Sequence, residues 1–104
     1  MSQTRRQQLE QLLADMPDDP FLRYGLAMEY VSEGQDETAV LKLRELIQAS
    51  PEYVPGYMQA GQALVRLNRP AEAREIWARG VAAARGQGDQ HAAEEMQGFI
   101  EGLD

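Results

Sequence analysis

The chain has no cysteine among its 104 residues, a single tryptophan, two phenylalanines and a single lysine, Lys42. Without thiols there is no disulfide frame, no thiolate set for zinc or an iron–sulfur cluster, and no redox chemistry of the chain's own, so the fold rests on packing alone. Long apolar runs are missing as well. The opening Met1-Ser-Gln-Thr-Arg-Arg-Gln-Gln has no apolar stretch of the kind a secretory signal needs, and these two absences predict a cytoplasmic chain that does not cross a membrane. Positive charge is scarce: ten Lys and Arg stand against seventeen Asp and Glu, a formal charge of −7. The average field therefore repels phosphate backbones and anionic lipid, which argues against nucleic acid or a membrane surface as partner. What is present is 43% hydrophobic and 26% charged residues, the composition of one domain spanning 1–104.

β-Branched residues never gather into an alternating run, and every patterned segment has a period near 3.6, so the chain reads as all-α. The first helix is expected over Gln3–Met16, with Leu9, Leu12, Leu13 and Met16 on one face, stopped by Pro17-Asp-Asp-Pro20. The second runs from Pro20 to Glu33, with Leu22, Leu26, Ala27 and Tyr30 inward, and Gly34 supplies a left-handed stop. Asp36 is expected to cap a third helix to Ala49, with Ala39, Val40, Leu43, Leu46 and Ile47 inward and Ser50-Pro51 ending it. A fourth covers Val54–Leu67 and stops at Asn68, the next-best residue for a left-handed position. Pro70 opens a fifth to Arg85. Gly86-Gln-Gly88 separates it from a sixth, capped by Asp89 and striped with Ala92, Met96, Phe99 and Leu103.

The chain also matches itself. One interval separates Gly34 from Asn68, Ala39 from Ala73, Leu43 from Trp77, and Pro17 from Pro51. A period of about 34 residues is one helical hairpin of a stacked solenoid. The segment Leu26-Ala27-x2-Tyr30, Ala39-x3-Leu43, Pro51, followed by Tyr57-x2-Ala60-Gly61-x2-Leu64, Ala73-x3-Trp77, resembles the tetratricopeptide repeat family over about 80 residues. Leu9, Leu12 and Pro17 match the second half of a unit that lacks its first helix. The resemblance implies a helical-repeat solenoid of about two and a half units: a half-unit at 3–16, repeats at 20–53 and 54–87, and a capping helix at 89–104. Small residues at Ala27, Gly61, Ala39 and Ala73 fit close helix crossings, with Tyr30, Leu43, Leu64 and Trp77 filling the gaps. Arg23 departs from the family's large aromatic, and Gly80 from its usual alanine.

The resemblance also implies a concave face, lined by Phe21, Tyr24, Met28, Val31 and Ser32 from one unit and Met58, Gln62, Val65 and Arg66 from the next. The residues themselves support an apolar surplus there. Leu22, Leu26 and Tyr30 already form the inward stripe of the second helix, so Tyr24, Met28 and Val31 form a second stripe in need of a cover. A terminal helix folded across this face is the plain alternative to a partner. The family's peptide-carboxylate clamps use Lys and Asn where this chain has Tyr24 and Met28, so that mode is not expected.

Two further clusters have ordinary explanations. Arg66, Arg69, Arg74, Arg79 and Arg85, with Glu72 and Glu75, give the 53–88 segment a local positive excess. They do not form one stripe, Glu75 and Arg79 are spaced as a helix-stabilising pair, and the acidic 89–104 segment can neutralise the rest. His91, beside Glu94 and Glu95, sits in the first turn of a helix, where a protonated imidazole is disfavoured. No nucleophile has a base at motif spacing and no glycine cluster cradles phosphate, so no catalytic residue, metal or other cofactor is expected. The expectation is a non-catalytic interaction scaffold that binds a peptide or protein segment in the groove; the alternative is a structural homodimer that buries the same strip. Nine of the ten basic residues are Arg, a usage associated with high-GC bacterial genomes.

Overall fold

A computed structural model describes residues 3–103; the outermost positions of the expected 1–104 domain, 1, 2 and 104, lie outside them. Among the described residues six helices follow one another: α1 (Arg5–Asp15), α2 (Pro20–Ser32), α3 (Asp36–Ala49), α4 (Val54–Arg66), α5 (Pro70–Gly86) and α6 (Gln90–Gly102). There is no strand among the described residues. Each helix packs on its neighbour in the chain and α2 also touches α4, which builds a row 47 Å long and 19 Å thin. The chain is an all-α solenoid of antiparallel helix pairs.

Two kinds of turn join the helices. At Gly34, Asn68 and Gly88 the backbone enters the left-handed region with φ of 76°, 60° and 72°. In all three the next N–H reaches back to the last turn of the preceding helix: Gln35 to the Tyr30 carbonyl, Arg69 to Leu64, Asp89 to Ala84. This double-bonded stop satisfies carbonyls that the helix end leaves open. The remaining two turns are proline turns that also repeat. Met16 and Ser50, one repeat apart and each followed by proline, have φ/ψ of −133°/67° and −135°/74°.

Several local expectations change. The first helix starts at Arg5 and not Gln3, because the Thr4 hydroxyl accepts the Gln7 N–H while the Gln7 side chain accepts the Thr4 N–H. Asp36 does not cap α3: it is the first helical residue, Gln35 precedes it without a side-chain cap, and its carboxylate is held by Arg66. The left-handed glycine before α6 is Gly88, and Gly86 is the last helical residue of α5. Asp89 does cap α6, accepting the Ala92 N–H.

The main core runs through α3, α4, α5 and α6, with Leu43, Leu46, Ile47, Leu64, Ile76 and Met96 its largest fully buried side chains. Close crossings set its small residues. A methyl on Gly80 would stand 2.6 Å from both Met96 Sδ and Tyr57 Cβ, so this departure from alanine is required by the approach of α4 and α6 to α5. A second, smaller cluster joins α1 to α2 through Leu9, Leu22 and Leu26, with Leu13 and Tyr30 against it. Leu12 and Met16, expected inward, are exposed at 44% and 47%, since α1 packs on α2 through Leu9 and Leu13 and these two side chains fall outside that contact. Tyr30 is half-buried, not fully inside: its ring lies at this thin end of the row under the Arg6 guanidinium, 5.2 Å away.

Candidate interaction face

The eight residues singled out from the sequence lie on α2 and α4, and the structure divides them by burial. Tyr24 and Met58 are half-buried and pack on the main core. The Tyr24 ring meets Tyr53 at 5.6 Å with a 53° tilt. Burial, reinforced by Tyr53, raises the Tyr24 phenol above its ordinary range against an opposing hydrogen bond with Gln59, so the phenol keeps its proton. Tyr53 is raised by burial and then by the nearby negative charge of Asp19. The Met58 carbonyl accepts the Trp77 indole N–H at 3.1 Å.

Phe21, Met28, Val31 and Val65 belong to neither hydrophobic cluster. Phe21 is 71% exposed and Val65 41%, while Met28 and Val31 are half-exposed, as is Gln62. The Ser32 hydroxyl is turned back to the Glu29 carbonyl. Arg66 is exposed, and both arms of its guanidinium fork bind the Asp36 carboxylate at 3.0 Å. Tyr53 and Gln59 were not singled out from the sequence. Tyr53 stands where Asp19 stands one repeat earlier, and the replacement of a capping residue by an aromatic was the signal available. Neither terminal helix lies across the row's interior: α1 packs on α2 and α6 on α5, each continuing the stack at its end.

Two of the five arginines of the positive stretch, Arg66 and Arg69, are paired from outside the 89–104 segment. Arg69 binds Glu72 at 2.6 Å and Glu37 at 2.8 Å, Arg44 binds Glu72 at 3.2 Å, and Arg66 binds Asp36, so the acids come from α3 and from α5 itself. Arg79 leans over the Tyr57 ring at 5.8 Å in place of the expected pair with Glu75. His91 is exposed with Glu95 3.7 Å away on the next turn, and among the described residues no group of three His, Cys, Asp or Glu could hold a metal.

These features define a class first: an all-helical repeat array whose hairpins recur with one fixed period. No family model matches the chain. It is, however, 35% identical over 96 residues to a TPR repeat-containing protein of Pseudomonas aeruginosa, an alignment covering 92% of this chain and 91% of that one. A tetratricopeptide repeat domain protein of Salinibacter ruber superposes with a TM-score of 0.80 at 33% identity, over 85% of this chain and 89% of that one. A protein of Bordetella parapertussis does so with a TM-score of 0.83 at 32% identity, over 98% and 89%. The chain belongs to the tetratricopeptide repeat family. Proteins of this fold are in general non-catalytic protein–protein interaction scaffolds, and among the described residues no helix is long and apolar enough to cross a membrane.

Proposed function

We propose that the chain is a cytoplasmic, non-catalytic scaffold that holds a peptide or protein segment against the α2–α4 face, with 20–53 and 54–87 as its two full units and the 89–104 helix as the cap. One observation carries this reading: Phe21, Met28, Val31 and Val65, which helical spacing assigns to the side expected to be concave, are apolar and take part in neither core cluster. Scattered exposed apolar residues are ordinary on any surface, whereas a row of them on one face is a place to bury a partner's side chains. Tyr24, Met58 and Gln62 form its floor, and Met28 and Met58 can repack around irregular shapes. Arg66, engaged by Asp36, contributes its alkyl stem at the rim.

Photocrosslinking tests it. A benzophenone side chain placed at Phe21 on this face and, separately, at Leu41, exposed at 61% on α3, should give adducts in the native host at position 21 and none at 41. Equal labelling at both positions overturns the reading. An adduct at 21 that is only the chain's own dimer replaces it with the homodimer.

A further inference from the structure

The carboxylates at and beside the interhelical turns are divided between the two long edges of the array. Antiparallel stacking puts the turns after α2 and α4 on one edge and the turns after α1, α3 and α5 on the other. Cross-contacts confirm the second grouping: the Gln87 amide donates to the Glu52 carbonyl at 2.5 Å, and Asp19 acts on Tyr53. On the first edge Glu33, Asp36, Glu37 and Glu72 each hold an arginine. On the second, Asp15, Asp18, Asp19, Glu52 and Asp89 are in no ion pair among the described residues. Asp19 and Asp89 spend one oxygen each on a helix N-terminus. The positive groups nearby are Arg23, whose Nε is bound to the Pro17 carbonyl, and Arg85 in the last turn of α5. Five carboxylates without an ion pair therefore line the edge where α2 and α4 begin, next to Phe21, Tyr24 and Tyr53, while Glu10, Glu75, Glu94 and Glu101, also without one among the described residues, are dispersed over α1, α5 and α6.

Resting on the scaffold reading above, we infer that the segment held by this face is cationic and amphipathic: its apolar side chains lie on Phe21, Met28 and Val65, and its Lys or Arg side chains lie along the edge formed by Asp15, Asp18 and Glu52. Charge complementarity selects this occupant. An acidic segment would meet an uncompensated row of like charge, and an uncharged one would leave that row unused, whereas basic side chains gain attraction at the rim without having to be buried. The tilted Tyr24–Tyr53 pair adds the negative face of an aromatic ring at the junction between the acidic edge and the apolar floor, a surface that favours a guanidinium or ammonium.

The test uses the full chain and three fluorescein-labelled probes read by anisotropy: a short amphipathic peptide of Leu and Lys, the same peptide with Glu for Lys, and a Lys–Ser peptide without an apolar face. The Leu–Lys peptide should bind, and rising salt should weaken it, while the other two stay free. Combining Asp15→Asn, Asp18→Asn and Glu52→Gln should weaken that binding by roughly tenfold and flatten its salt dependence. Met28→Ser with Val65→Ser should abolish it, circular dichroism showing both variants folded. Binding of the Leu–Lys and Leu–Glu peptides with equal strength, lost together on Met28→Ser with Val65→Ser, overturns the cationic inference and leaves the scaffold reading standing. Binding of the Leu–Lys peptide that survives Met28→Ser with Val65→Ser is attraction to bulk charge and overturns the inference, as does no binding at all. If the Phe21 crosslink also fails, the scaffold reading falls with it.

Discussion

Gly61 and Trp77 are fitted to each other: a methyl on Gly61 would stand 2.1 Å from the indole Nε1 of Trp77. One repeat earlier the same two positions are Ala27 and Leu43, both fully buried. Each unit thus closes the crossing of its two helices with a similar total volume, divided differently between a small and a large side chain. Gly61→Ala should cost ~1–3 kcal/mol by over-packing, read as a lower urea midpoint. Trp77→Leu opens a cavity and loses the hydrogen bond to the Met58 carbonyl. Gly61→Ala combined with Trp77→Leu should be at least ~1 kcal/mol more stable than the sum of the single effects. Simple additivity would show that the two positions do not share this space.

Arg23 and Tyr57 form a second repeat-related pair. The Arg23 Nε donates to the Pro17 carbonyl at 2.8 Å and the Tyr57 hydroxyl to the Pro51 carbonyl at 2.6 Å, with both donors and both prolines one repeat apart. The arginine replaces the family's aromatic without losing its tie to the turn. Arg23→Ala should lower stability by ~0.5–1.5 kcal/mol, the worth of one such bond. Arg23→Tyr should leave the melting temperature near that of the parent. A drop as large as that of alanine would show that the phenol cannot reach Pro17.

Glu72 carries the clearest pH signature. Its hydrogen bonds with Arg69, then the charges of Arg69 and Arg44, hold its carboxyl below the ordinary range in spite of partial desolvation. A depressed folded pKa contributes stability that is present above the unfolded carboxylate pKa and lost as pH falls through the folded one. In an NMR titration the Glu72 side-chain carbon should turn at a pH below that of a free glutamate, and Arg69→Gln should move it upward. An unmoved midpoint would mean that the 2.6 Å contact is not maintained in solution.

The helix α1 is joined to the array by the small Leu9, Leu22 and Leu26 cluster and by exposed pairs, Arg5 with Glu29 and Arg6 with Glu33. Exposed pairs contribute little, and local opening is easiest where buried apolar contact is least. Amide exchange should be fastest in α1 and slowest in α4 and α5, and Leu9→Ala should speed exchange in α1 while leaving α5 unchanged. Uniform exchange along the chain would show that the array opens as one unit.

The sequence by itself determined the helices, their number and the period of the array. A left-handed stop at Gly34 and Asn68, a fixed φ at Pro17, Pro20, Pro51 and Pro70, and small residues at Ala39 and Ala73 act through local sterics, which a linear chain already expresses. It also determined which face has surplus apolar side chains, because helical spacing alone separates Met28 and Val31 from Leu26. Only the tertiary structure decided how those side chains are used. Tyr24 and Met58 pack on the core while Phe21 and Val65 stay exposed, since that depends on how closely α2 and α4 approach. Leu12 and Met16 stay exposed on α1, which packs on α2, while Arg66 pairs with Asp36 and Arg69 adds Glu37 to the nearby Glu72, both reaching back to the start of α3. Charge pairing between stacked repeats is set by distances in space, which follow from the superhelical arrangement and are not written in the spacing of residues along the sequence.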